Sequence, residues 1–411
     1  MHHYFLRLSA LAISLSLTLH ASFVHADVVT DWNIIALSAS EGSSAQVSNR
    51  AMAITHCAIF DAVDAISHTY TPYLIQPPAP AGTSGEAAAA EAAHDVLSWL
   101  FPNQKSMLDA ALKTSLGKIG DGSGKDNGVA LGKQVAEKYI AVRTNDGWDR
   151  KANYTTSTGA GNWRPAPPAF QAFVSANWAD VTPFVLKSAT ELTAPGPLAL
   201  DGEQYAKEID EVRRVGARDS KERTADQTAA AIFSLIRGSE LWNAAARAAA
   251  ADKRTSMMEN ARIFALMNMA MVDATVSGWT VKKQHPLWRP LTAIREAAVN
   301  PDPNWEPLLI TPSHPDYLSG HCITSGAAAG TLTQLFGYDG TKFSSTFGGG
   351  FGLTRTYSGF SAAEKEVELA RIWAGIHTRT ADEHATKLGH QIAELVVKRA
   401  MTPVDSPQRS R

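Results

Sequence analysis

KKQHPLWRPLTAIREA, residues 282 to 297, is followed after a short Pro-rich passage by TPSHPDYLSGHCITSGAAAG, residues 311 to 330. The two segments set Lys282 and Arg289 seven residues apart. They then place Ser319, Gly320 and His321 at the head of a run of small residues that favours helix. Two fixed cations next to the backbone N–H groups of a helix N-terminus suit a tetrahedral oxyanion, because both the charges and the unsatisfied donors point toward negative oxygen.

The helical reading extends outward from this stretch. SNRAMAITHCAIFDAVDAISHTYTPY, from Ser48, repeats apolar residues at helical spacing and stops at Tyr-Thr-Pro. Asp61, Asp64 and His68 share one face of that helix, and a solvated or ion-paired face is expected there rather than a metal site. Three further runs, 85–100 with Ser84 as cap, 103–116 and 127–143, read as helices. Residues 144–200 change character and are rich in Pro and Gly. Trp148, Trp163 and Trp178 within them predict an irregular segment packed across the helices. Helices resume from residue 201. A short extended piece is expected at 305–310 and a Gly-rich loop in FGGGFGLTRTY from Phe347, with capping boxes opening at Ser361 and Thr380. That loop has no Gly-Lys-Ser/Thr after it and is not a nucleotide cradle.

The fold class is therefore all-α: two packed helical bundles joined by a long Pro/Gly/Trp-rich connection. The expected organisation is a signal peptide over residues 1–26, cleaved near Ala26, and an N-terminal helical region over 27–143. The connection follows over 144–200, then a site-bearing helical domain over 201–402 and a frayed tail over 403–411. The leader predicts export to the periplasm or the extracellular space. Its apolar core falls short of the ~20 residues a spanning helix needs, so no stable membrane insertion is expected. A net charge of −2 argues against a nucleic-acid partner. Cys57 and Cys322 lie in apolar helical runs and are expected as buried free thiols.

Lys282 and Arg289, then Ser319-Gly320-His321, then Arg371 and His377 stand in a fixed order. This order resembles the signature of the phosphatidic acid phosphatase type 2 and vanadium-dependent haloperoxidase superfamily. WRPLTAIREA, NWEPLLITPSHPDYLSGH, NRAMAITHCAIFDAVDA and the segment from Asp201 to Thr228 resemble its soluble bacterial haloperoxidase-related members.

The resemblance implies that Lys282, Arg289 and Arg371 bind phosphate or vanadate oxygens, with Ser319 and the Gly320 N–H completing the cradle. It implies that His377 is the covalent residue, binding vanadium in a haloperoxidase or attacking phosphorus in a phosphatase, and that His321 is the acid–base partner. His314 lies where bromide-oxidising relatives carry His, which favours bromide as the halide. The implied reading is thus a vanadate-dependent haloperoxidase using hydrogen peroxide and halide. The alternatives are a soluble acid phosphatase that needs no cofactor and an inactive oxyanion binder. The chain departs from the pattern at Leu318, where Pro is usual, and at Ala370, where Ser is common. The carboxylate expected four residues after His377 is missing, since Ala381 holds that place. Asp382, one residue later, is taken as the group that orients His377. His384 and His390 receive no role.

Overall fold

The computed structural model describes residues 27–404 apart from 153, 298–299 and 349–351. The expected signal peptide and the tail from 405 onward lie outside the described residues. The chain folds as helices α1 (Val28–Ala39), α2 (Ala45–Ser67), α3 (Gly85–Leu100), α4 (Lys105–Gly117) and α5 (Ser123–Arg143). After a long irregular stretch come α6 (Glu203–Val215), α7 (Ala225–Phe233), α8 (Gly238–Lys253), α9 (Met257–Gln284) and the short α10 (Pro290–Arg295). Next are α11 (Gly320–Phe336), the hairpin strands β1 (Phe343–Phe347) and β2 (Leu353–Tyr357), α12 (Phe360–Trp373) and α13 (Arg379–Arg399). The all-α class holds, with one small antiparallel hairpin added.

Local chemistry explains several helix starts. Asp27, Ser44 and Ser84 each accept a backbone N–H from the first turn of the helix they precede. Full capping boxes, Thr224 with Gln227 and Ser256 with Glu259, open α7 and α9. The α9 helix is buried on nearly every side, as expected of a helix without a polar stripe, and it packs on α2, α11 and α13. Two of its buried polar residues anchor neighbours. Asn268 bonds Asn243 and the Phe264 carbonyl, and Asp273 accepts the backbone N–H groups of Phe184, Val185 and Leu186 at 2.6–2.9 Å. Burial pushes the Asp273 carboxyl up to about 6, opposed by those three bonds. This carboxylate ties the irregular connection onto the central helix. Trp163 and Trp178 are buried against the same core, and the backbone N–H of Trp163 donates to the Pro286 carbonyl at 2.6 Å.

Four local expectations are corrected. Asp61 and Asp64 are buried, not solvated: Asp61 accepts from the N–H groups of Tyr73, Leu74 and Ile75 and from Tyr139 Oη, and Asp64 accepts from those of Thr69 and Tyr70. They fasten the turn that follows α2, which consumes the lone pairs a metal would need. Phe347 and the segment Leu353–Tyr357 belong to a hairpin, with residues 349–351 outside the described residues. Its outward face pairs Ser344 with Thr356 and Thr346 with Thr354 through hydroxyl–hydroxyl hydrogen bonds, cross-strand contacts that favour a sheet. Neither expected box caps its helix: α12 starts after Gly359, with Ser361 bound by Asp339, and α13 starts after Thr378, with Thr380 bound by Glu208. The expected extended piece at 305–310 forms no strand, only an isolated bridge between Pro307 and Ala217. Among the described residues no helix is long and apolar enough to cross a membrane.

The α11–α13 crossing carries both the Ser319 turn and the residues after His377, and small residues make it close. A Cβ on Gly326 would lie 2.3 Å from the Thr386 carbonyl oxygen, and one on Gly389 2.3 Å from that of Ile323. Backbone cannot retreat as a flexible side chain can. Gly326→Ala should therefore destabilise the fold by roughly 1–3 kcal/mol or more, read as a lower denaturant midpoint at unchanged m. An unaltered midpoint would show that the helices have room to separate.

Candidate oxyanion site

Four segments converge at one end of the α9, α11 and α13 core. Lys282 comes from the last turn of α9, and Arg289 is the N-cap of α10. Ser319 is the N-cap of α11, with Gly320 and His321 in its first turn. Arg371 ends α12, and His377 sits in the turn before α13. That turn depends on Gly375, whose φ of +78° and 2.4 Å Cβ distance to the Gly216 carbonyl oxygen exclude a side chain. The structure thus brings together all seven residues expected to form the site, from positions up to 95 residues apart in sequence.

Each cation is buried and aimed by backbone carbonyls. Lys282 Nζ donates to the Pro315 carbonyl at 2.6 Å and to that of Asp316 at 3.3 Å. Arg289 donates through Nε to the His314 carbonyl at 2.6 Å and through Nη1 to the Ile376 carbonyl at 2.7 Å. Nη1 also lies 3.0 Å from His377 Nε2, and Nη2 lies 2.9 Å from His314 Nδ1. Arg371 Nη1 donates to Ser234 Oγ at 2.9 Å, while its buried Nε has no partner. Gly320 approaches the site closely: a Cβ there would stand 3.0 Å from the Trp279 ring.

Asp382 does not orient His377. One turn into α13 it accepts from Cys322 Sγ at 3.2 Å, and Ser319 Oγ donates to that same sulfur at 3.2 Å. The acid at His377 is Asp316, three residues before Ser319. Its Oδ1 lies 2.6 Å from His377 Nδ1, while its Oδ2 accepts from Thr378 Oγ1 at 2.8 Å. The Oδ1 contact is close but lies outside aligned hydrogen-bond geometry, so it is a polar contact with a neutral ring that leaves Oδ1 without an aligned donor. Arg289 Nη1 stands 3.8 Å from the same oxygen. His314 is no loosely exposed residue: its ring tilts over Trp279 with centroids 5.4 Å apart. His384 bonds Tyr317 Oη, and His390 pairs with Glu364, both away from the cradle. Cys57 and Cys322 are buried and unbonded, as expected. Sequence reasoning also missed Trp279 and Ser234; neither stands at a spacing that marks it, since both reach the site through tertiary packing.

Burial, followed by the repulsion of Arg289, holds the Lys282 ammonium well below its usual range, and burial lowers Arg289 to about 10. Burial lowers Arg371 as well. The imidazoles of His314, His321 and His377 are each held well below their ordinary value, by burial first and then by the neighbouring cations. Burial raises the Asp316 carboxyl to about 6 against the pull of Arg289, and raises that of Asp382. Burial is the first cause of each of these shifts; the neighbouring cations add to it at Lys282 and the three imidazoles and oppose it at the two carboxyls. Three cations face two carboxylates whose charged forms burial disfavours. A bound oxyanion relieves the resulting excess of positive charge, and the partnerless Arg371 Nε and the amides at the head of α11 supply donors for it, so the residues fit phosphate or vanadate. A pocket of about 440 Å³, its open mouth included, leads to Gly320 and His321 between α2, α9 and α11.

Residues 262–406 match the family model described as the VCPO second helical-bundle domain. A bacterial vanadium-dependent iodoperoxidase is similar over 92% of this chain and 96% of its own, with 26% identity and a TM-score of 0.79. The holo and apo forms of a bacterial vanadium-dependent chloroperoxidase, 19% and 17% identical, each cover 86% of this chain, and 91% and 93% of their own, with TM-scores of 0.71. At those lower identities the likeness shows the fold alone. No curated protein matches the chain. The site-bearing C-terminal segment is thus a haloperoxidase-type helical bundle. The findings bear out the superfamily indicated by the motifs and an enzyme of its phosphatase and haloperoxidase kind, and they support a haloperoxidase-like function.

Proposed function

We propose that this chain is an exported vanadate-dependent haloperoxidase that oxidises halide with hydrogen peroxide and favours bromide. The observation that carries the reading is the division of labour at His377. Its Nδ1 stands against Asp316, and its Nε2 faces Arg289 inside the cation cluster, so one ring nitrogen is held while the other looks toward the anion's place. The low proton affinity of this imidazole keeps it neutral, the state in which nitrogen binds a metal centre. Lys282, Arg289, Arg371, Ser319 and the Gly320 N–H would hold vanadate oxygens, and His377 Nε2 would hold its vanadium. Vanadate, when bound, activates hydrogen peroxide toward attack by halide.

The chain's own groups do the rest. The cations bind and orient the oxyanion, and the apolar packing of α9 and α11 excludes bulk water behind it. His321 lines the pocket in front. It can exchange a proton with the incoming peroxide once a bound oxyanion offsets the cations that lower its proton affinity, work worth ~10²- to 10⁴-fold in rate. His314, between Arg289 and Trp279, supports bromide as the halide because it puts a polar ring at the mouth of the cradle.

The test is a titration with vanadate. In the presence of peroxide and bromide, or iodide, vanadate should switch on halogenation of a dye. If vanadate instead inhibits hydrolysis of phosphate esters, the chain is a phosphatase. Intact oxyanion binding with neither activity would make it a binding protein.

A further inference from the structure

The motif NRAMAITHCAIFDAVDA has no part in the cradle, yet it sends one residue to the pocket in front of it. Asn49, in the second turn of α2, lines that pocket with Trp279, His314, Gly320 and His321. Its neighbours are fixed. Ser48 Oγ lies 2.9 Å from both Ser40 Oγ and Ser239 Oγ, and Arg50 Nε donates to Asp146 at 2.8 Å and is buried with it. Asn49 itself is 3% exposed, and its Oδ1 has no partner. A rigid helix thus delivers a buried carboxamide whose oxygen is left unsatisfied, and such a group has a cost unless something donates to it.

The two threonine hydroxyls of the pocket are already used. The Thr275 hydroxyl donates to the Met271 carbonyl, and the Thr324 hydroxyl donates to those of Gly320 and His321. Among the residues lining the pocket there is no carboxylate, guanidinium or ammonium. A halide gains nothing beside an unsatisfied acceptor oxygen, and a bulky organic molecule does not reach a position this buried. The ligand that fits is small, uncharged and able to donate. Hydrogen peroxide has those properties, and this pocket reaches His321.

We propose that Asn49 is a peroxide-binding residue: its carboxamide oxygen accepts an O–H of hydrogen peroxide and holds the oxidant beside His321 and Gly320. The N-terminal half of the chain thereby contributes to a site otherwise built from the C-terminal half. This inference rests on the haloperoxidase reading.

Asn49→Leu, close in shape and without the acceptor, should raise KM for peroxide about five- to tenfold, the worth of one hydrogen bond, and Asn49→Ala should move it in the same direction. KM for halide and the affinity for phosphate should stay near the parent values. The melting temperature of Asn49→Leu should not fall, because an unpartnered polar atom is lost. Independently of turnover, crystals with phosphate in the cradle and soaked in peroxide should show a two-oxygen molecule in hydrogen-bond reach of Asn49. An unchanged KM for peroxide in both variants, an equal shift in the KM for halide, or only water at Asn49 would overturn the assignment. So would a fall in stability that accounts for the whole effect. Parent protein that oxidises no halide with vanadate bound would remove the haloperoxidase reading itself, a result distinct from active parent protein with indifferent variants.

Discussion

Replacing His377 with alanine should abolish halide oxidation, with a loss of ~10⁴-fold or more in kcat, the scale seen when a group acting covalently is removed. Phosphate should still bind. His377 is 1% exposed and, among the described residues, is the one imidazole with one nitrogen against a carboxylate and the other in the cation cluster. Lys282, Arg289, Arg371 and the α11 amides remain in the variant, and they supply the charge and the donors that a tetrahedral anion needs. Freed from His377, Arg289 Nη1 gains a hydrogen-bonding direction toward the anion. The measurement is therefore paired: steady-state halogenation with vanadate, and calorimetric titration with phosphate. Turnover within tenfold of the parent protein would remove the covalent role. Loss of phosphate binding along with turnover would mean that the substitution had collapsed the cradle.

The cradle was legible in the sequence because its chemistry is carried by residue types at short spacings. Lys282 with Arg289, Ser319 to His321, and Arg371 with His377 each lie no more than seven positions apart, so local spacing keeps each group together. Helix content was legible for the same reason, since periodicity and caps such as Ser84 act locally. Asp316 was not. The carboxylate was sought on the helix after His377, where Asp382 is one residue out of step, but the fold brings one across from a loop 61 residues earlier. No spacing rule reaches that far. Asp61 and Asp64 show a related limit: two acids on one helical face look alike whether they meet water or fasten a following turn. At α12 the Ser361 box was locally plausible, and Asp339, 22 residues away, took the serine instead. The hairpin was hidden because glycines dominated a segment whose flanks alternate Ser and Thr for cross-strand pairing.

Asp316→Asn should lower kcat by ~10- to 100-fold, the usual loss when the partner of a metal-binding histidine is changed, and should leave phosphate affinity equal or tighter. The two effects run in opposite directions because Asp316 does two things. It stands 2.6 Å from His377 Nδ1, and it places a carboxylate 3.8 Å from Arg289. Asparagine keeps the shape and the acceptor for Thr378 Oγ1 but removes the charge that attracts the Nδ1–H of the ring. His377 is then free to turn, or to present the wrong nitrogen, and catalysis suffers. The same change removes one negative charge from a buried cluster that already lacks enough of them, and an incoming oxyanion meets less repulsion. If Asp316 only supported the loop, kcat, phosphate affinity and melting temperature would all fall together. If Asp382 were the orienting acid after all, Asp382→Asn would show the split and Asp316→Asn would not. Asp382 makes its contact with Cys322 instead, so its amide variant should leave the orientation of His377 intact.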